Sequence, residues 1–215
     1  MRARVENHED EAFLSHTGRL GFLSPHATKL LLRAVRKRRL GYEVVIAYDG
    51  VTPVIVDSRL PNQLLLNAFR SGMISELKCC RILRPEVTVL DSRFDFMGEN
   101  RKDWYIEVKG VTVQKNGTAI YPDAPTERGR KHVRTLISLA RRKASGAMIF
   151  FLAMRNDVHS LTIDDEIDKE FWLLLERARK IGVKVRCYSV EIRKESAKLA
   201  VPLRFVSRAA CSPRA

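Results

Sequence analysis

The chain has 215 residues, 45% hydrophobic and 30% charged, with 39 Lys and Arg against 25 Asp and Glu, a formal net charge of +14 and a pI near 10.0. That balance suits one large domain or two small ones around a real core, and the sequence carries no internal repeat or low-complexity segment. No apolar run reaches the ~18–20 residues of a membrane span, the stretch from Gly146 to Met154 being the longest.

In chain order, residues 1–60 predict short strands: Lys29–Ala34 and Tyr42–Tyr48 are β-rich, and Asp49-Gly50 is a hairpin signal leading into Val51–Val56. Pro61 breaks the pattern and Asn62 is a helix-cap residue type. Leu64, Leu65, Ala68 and Phe69 share a helical face that Gly72 ends. A domain boundary is placed near Leu60, giving 1–60 and 61–206, with 207–215 a small, polar, frayed tail. Three strands follow. Arg81–Leu90 is bent or at an edge because of Pro85, Asp91–Met97 is next, and Trp104–Val113 comes after the polar turn Gly98–Asp103. Asn116-Gly117 marks a hairpin into Thr118–Tyr121. A helix from Glu127 to Lys143 carries Val133, Leu136, Ile137 and Ala140 on one face. Ala147–Ala153 reads as a strand buried on both faces, Asp168–Ile181 as an amphipathic helix closed by Gly182, and Val183–Tyr188 as a last strand.

The cysteines Cys79, Cys80, Cys187 and Cys211 form no Cys-x-x-Cys, so neither a zinc site nor a disulfide scaffold is indicated. With no apolar signal region after Met1, the expectation is a cytoplasmic protein with reduced thiols. The cations are clustered. Arg36-Lys37-Arg38-Arg39 is a solid run, and Arg128 to Lys143 holds seven cations, among them Arg128, Arg130, Lys131 and Arg134, with no acid. This favours a polyanionic partner, DNA foremost, over a merely basic surface.

The chemistry centres on Asp95, on one predicted strand, and Glu107-Val108-Lys109 on the next. Residues two apart on a strand share a face, so Glu107 and Lys109 project together. Two carboxylates offer hard oxygen ligands for Mg²⁺ or Mn²⁺, and the lysine can hold or deprotonate an attacking water. The bland alternative is that Glu107 and Lys109 line the wet face of a half-exposed strand, with Asp95 in a salt bridge to Arg93. Asp95, however, lies between Phe94 and Phe96, where an unpaired carboxylate is costly. Asp123, Glu127, Arg128, Lys131 and His132 fall in a second cluster, a Pro-bounded loop entering a basic helix. The helix N-terminus there suits phosphate, or Thr126 simply caps it.

These strings together resemble the sugar fermentation stimulation protein family: Leu60-Pro61-Asn62, Ser92-Arg93-Phe94-Asp95-Phe96, Tyr105-Ile106-Glu107-Val108-Lys109-Gly110-Val111-Thr112, Pro122-Asp123-Ala124-x-Thr126-x-Arg128-Gly129-x-Lys131-His132 and Asp165-Glu166-Ile167-Asp168. The resemblance implies an α/β (α+β) chain with two parts. The first is a small OB-like N-terminal β-barrel; relatives usually carry a further strand before the region matching residue 5, so the expectation is either an incomplete barrel or a misassigned start. The second is a restriction-endonuclease-like domain of the PD-(D/E)xK type, a mixed β-sheet flanked by helices. It also implies DNA binding and a link to regulation of sugar metabolism. By position, Asp95, Glu107 and the Val108 carbonyl would hold the metal and Lys109 would be the catalytic lysine. Glu127, Arg128, Lys131 and His132 would line the cleft, and Arg36–Arg39 would be the barrel's electrostatic footprint. The chain departs from the family at Leu65, Leu66, Asn67 and Thr135, where acids are common; their loss would weaken metal binding more than DNA binding. Three functions remain open: a DNA-binding protein with a nuclease-like fold, an active Mg²⁺/Mn²⁺ nuclease, and a regulatory module for another ligand.

Overall fold

The computed structural model describes residues 2–5, 8–14, 20, 29–34, 41–78, 80–193 and 196–206; the Arg36–Arg39 run and the tail 207–215 lie outside the described residues. The chain begins with β1 (Arg2–Val5), β2 (His8–Phe13), β3 (Leu30–Ala34), β4 (Tyr42–Asp49) and β5 (Thr52–Ile55). β4 is the spine of this sheet, pairing β2 in parallel at one end, β3 along most of its length and β5 across a hairpin. The hairpin turns at Gly50-Val51, one residue later than the sequence suggested, with Gly50 at φ 61° where a side chain would be strained. The strands wrap Val44, Ala47, Val54 and Val56 into a small core, and among the described residues they do not close into a barrel.

The rest of the chain runs α1 (Leu60–Arg70), a 3₁₀ turn (Ser75–Leu77), β6 (Ile82–Val89), β7 (Ser92–Glu99), β8 (Asp103–Val111), β9 (Gln114–Lys115), β10 (Thr118–Tyr121), α2 (Glu127–Ala140), β11 (Ser145–Ala153), β12 (Ser160–Ile163), α3 (Lys169–Ile181), β13 (Lys184–Arg193), β14 (Ser196–Pro202) and β15 (Arg204–Val206). Six strands form the central sheet in the order β14-β13-β11-β8-β7-β6. β8, β11 and β13 are mutually parallel, while β6–β7–β8 is an antiparallel meander. The Pro85 strand β6 is an edge, where its missing N–H costs the ladder nothing. From Gly146 to Ala153 every residue of β11 is buried, as the central strand of a sheet covered on both faces requires.

One face packs Leu64, Leu65 and Ala68 of α1 against Phe96, Ile106, Val108 and Phe150. The other packs Val133 and Leu136 of α2 and Phe171 and Leu175 of α3 against Phe94, Val111, Ile149 and Phe151. Each such buried leucine or phenylalanine contributes about 1.5–3 kcal/mol relative to exposure. In the smaller sheet β15-β12-β10-β9 the β9–β10 hairpin falls at the Asn116-Gly117 signal, whereas the short β12 and β15 lie in unpatterned segments. Helix starts differ from expectation at one informative place. Arg59, not Asn62, is the N-cap residue of α1, with no side-chain cap bond, and Pro61 sits in the first turn, where no N–H is needed. Arg59 instead joins the two parts of the fold. Its Nη2 lies 2.5 Å from Oε2 of Glu43 on β4 and 2.7 Å from Oδ2 of Asp57.

Candidate metal-binding cleft

β7 and β8 pair only from Phe96–Gly98 to Trp104–Ile106. Beyond that point Asp95 takes over the ladder: the Val108 N–H donates to its Oδ2 at 2.7 Å. Asn62 Nδ2 donates to the other oxygen, Oδ1, at 2.8 Å. The residue expected to cap α1 thus holds a candidate ligand across the sheet. Arg93 pairs with Glu86 at 2.6 Å, so the simple Arg–Asp salt bridge does not account for Asp95.

Glu107 is 2% exposed and lies under α2, so the wet-face alternative fails as well. Its Oε1 accepts from Lys109 Nζ and from His132 Nδ1, each at 2.5 Å. His132 is buried on α2 against the Phe94 ring, 5.6 Å between centroids, and reaches Glu107 from behind rather than from the cleft. The other oxygen, Glu107 Oε2, is buried with no hydrogen-bond partner. A buried carboxylate oxygen without a donor costs free energy unless a cation serves it.

Electrostatics separate the two acids. Burial and then the nearby Glu107 charge push the Asp95 carboxyl above its ordinary value, against the pull of Val108 N–H and Asn62. Burial would push Glu107 the same way, but Lys109 and His132 hold it below the usual carboxylate range. Burial opposes a charge on Lys109, yet Glu107 raises it, so the lysine is an ammonium here.

These groups open onto a cleft of about 530 Å³ whose walls include Asp95, Glu107, Val108, Lys109, Asp123 and Arg128. Tyr121 and Thr126 line it too; the sequence motif names Thr126 as a capping residue and leaves out Tyr121. Thr126 Oγ1 caps α2 by accepting from Gly129 N at 3.0 Å. Gly129 is required there, since a Cβ would lie 2.7 Å from Thr126 Oγ1. Arg128 is exposed and has no ion-pair partner among the described residues.

The other α2 cations sit differently. Arg130 bonds Glu127 (2.6 Å) and Asp168 (3.1 Å), and Arg134 bonds Glu127 and Glu170. Lys131 pairs with Asp91 at 3.3 Å. Glu127 is exposed in this network rather than lining the cleft, and Asp168 caps α3 through Phe171 N. Two of the family departures also have local explanations: Leu65 fills the core under α1, and Thr135 Oγ1 lies 2.8 Å from Ser92 Oγ.

Among the described residues no three His, Cys, Asp or Glu side chains are grouped to hold an ion. Two carboxylates suffice for a Mg²⁺-type site, which keeps several waters and takes its remaining ligands from backbone or phosphate. The orphaned Glu107 Oε2 beside Asp95 fits such an ion. Asn62→Ala should leave the fold intact and weaken cation affinity about 10–100-fold, as loss of a residue that orients a ligand does. Calorimetric titration with Mn²⁺ checks this.

The family model described as "Sugar fermentation stimulation protein RE domain" matches residues 59–196. A sugar fermentation stimulation protein homolog of Clostridium perfringens strain 13 is 35% identical over 198 residues, 89% of this chain and 86% of that one. The homolog of Thermoanaerobacter sp. strain X514 is 36% identical over the same shares. A solved structure, "The structure of Pyrococcus Furiosus SfsA in complex with Ca2+", superposes with a TM-score of 0.88 at 25% identity, covering 95% of this chain and 89% of that one. The opened β7–β8 ladder, the Glu107–Lys109 pair and the αβββαβ order thus sit in a frame shared along nearly the whole length, and the chain belongs to the sugar fermentation stimulation protein family.

Proposed function

We propose that the protein binds DNA through its backbone and presents it to a divalent cation, Mg²⁺ or Mn²⁺, held by Asp95, Glu107 and the Val108 carbonyl. The observation that carries the metal site is the buried Glu107 Oε2 without a hydrogen-bond partner, on a residue that lines the cleft. The Pyrococcus furiosus relative is described in complex with Ca²⁺, a hard, oxygen-seeking ion of the kind such donors select. DNA binding is supported by the +14 charge and by an exposed Arg128 in the cleft wall that has no ion-pair partner among the described residues.

Hydrolysis is a second reading, favoured by the Glu107–Lys109 contact. When bound, the cation would polarise a phosphate and acidify water. Lys109 is held protonated, so it orients water or steadies phosphate charge instead of abstracting a proton. Arg128, beside the N-terminus of α2, adds positive charge where a phosphate would dock.

Duplex and single-stranded DNA binding across a salt series should show a log–log slope of about −0.9 per phosphate contact for duplex; a flat line would sink the DNA reading. With Mn²⁺, cleavage should appear and fall at least about 100-fold in Lys109→Met, in the range of a lost transition-state donor, while DNA affinity is kept. Binding without cleavage in any DNA substrate removes the hydrolytic reading alone.

A further inference from the structure

The far end of the central sheet carries a second cationic feature that the cleft does not use. The β7–β8 turn supplies Arg101 and Lys102, the α2–β11 loop Arg141, Arg142 and Lys143, and the start of β13 Lys184. The two loops touch, Asp103 N–H donating to the Ala144 carbonyl at 3.2 Å, and Ser145 pairs in register with Asp103. Trp104 ties in the third segment. Its ring lies over Gly146 of β11, where a Cβ would come within 2.3 Å of the indole, so only glycine lets the ring cross. Lys102 Nζ and Lys184 Nζ each sit 4.5 Å from that ring's centroid.

Two ammonium groups on one indole repel each other, and Asp103 is the only acid in 101–103 and 141–144. None of the six cations has an ion-pair partner among the described residues. Elsewhere many cations are matched by acids: Arg33 and Arg59 by Glu43 and Asp57, Arg84 by Glu99, Arg130 and Arg134 by Glu127 and Glu170, Arg186 by Glu76. The helix dipole accounts for cations just past the C-terminus of α2. It does not account for Arg101, Lys102 or Lys184.

We propose that this Trp104-centred basic end is a second binding surface for the phosphate backbone of duplex DNA, separate from the cleft. The fourteen residues of α2 put the two about 20 Å apart, less than one turn of duplex. Trp104 is 7% exposed and covered by the two lysines, so the surface reads phosphate and not bases. The identity of the partner rests on the DNA-binding reading above.

The test compares full-length wild type, Lys102→Gln/Arg141→Gln/Arg142→Gln/Lys143→Gln, Lys102→Gln/Lys184→Gln and Arg128→Gln on a duplex of about 30 base pairs, roughly three helical turns, over a salt series. Thermal unfolding and Mn²⁺ affinity confirm that fold and cleft are kept. The quadruple variant should lose at least about tenfold in affinity and flatten the salt slope by up to about 0.9 per contact removed. The Lys102/Lys184 double variant should lose less in both. Unchanged affinity and slope in both variants, with Arg128→Gln weakened, overturns the second surface and leaves the cleft reading standing. A wild type that binds no DNA overturns both.

Discussion

Glu107→Ala should be the most damaging single change in the cleft, losing about 3 kcal/mol of stability and all response to divalent cations. One oxygen of Glu107 receives both Lys109 and His132, and removing it leaves the Lys109 ammonium, only 16% exposed along its side chain, without its hydrogen-bonded counter-charge. The loss comes from the orphaned partner, so the double variant Glu107→Ala/Lys109→Met should recover roughly half of it, a coupling well above the scatter of additive sites. Urea unfolding of the four proteins of the cycle measures this. Repeating it with saturating Mn²⁺ separates the cation site from the ion pair, since an ion bound only to the native state at about 100 times its dissociation constant adds about 2.7 kcal/mol. A wild type that gains nothing from Mn²⁺, or a Glu107→Ala protein that gains as much, removes Glu107 as a ligand.

The parts of this site readable from sequence are those governed by strand parity. Asp95 between two phenylalanines, and Glu107 two residues before Lys109, fix which side chains meet once the strands pair. What parity cannot show is that β7 and β8 separate after Phe96, so that Asp95 reaches a backbone amide as well as the cleft. Asn62 was visible but open to misreading, because an Asn after a proline at a helix start is a capping residue type; its partner lies 33 positions away. The α2 cations show the same limit. Arg130 and Arg134 stand in an acid-free stretch of sequence, yet α3 packs alongside and brings Asp168 and Glu170 to them across 38 and 36 residues. Charge density along a chain therefore overstates the charge a surface presents, and at the cleft Arg128 is left exposed and without an ion-pair partner among the described residues. The apolar elements fared better, since a buried run such as Ala147–Ala153 needs no distant partner to be recognised as a central strand. The short strands β12 and β15 pair through non-local registers that no local pattern announces.

Asp95→Asn should make the protein more stable while abolishing its cation response. In the native state burial and the neighbouring Glu107 charge hold the Asp95 carboxyl above its ordinary value of 3.8, so the native state binds the proton more tightly than the unfolded chain. Stability from this group therefore falls as pH rises from 3.8 through the elevated native value, and the full cost of an ionised Asp95 is carried above that window. Asparagine keeps an acceptor for Val108 N–H, and a flipped Asn62 amide can answer its NH₂, so the gain at neutral pH is about 1 kcal/mol, typical of relieving a strained functional group. The sign sets the control: the difference between variant and wild type should shrink as pH falls toward 3.8 and vanish below it. Cation binding must also expel the Asp95 proton where it is present, so wild-type affinity for Mn²⁺ should rise with pH across the same window, with proton release in the calorimeter. If Asp95→Asn is less stable than wild type at neutral pH, or binds Mn²⁺ within a few-fold of it, Asp95 is a structural acid and the proposed metal site is wrong.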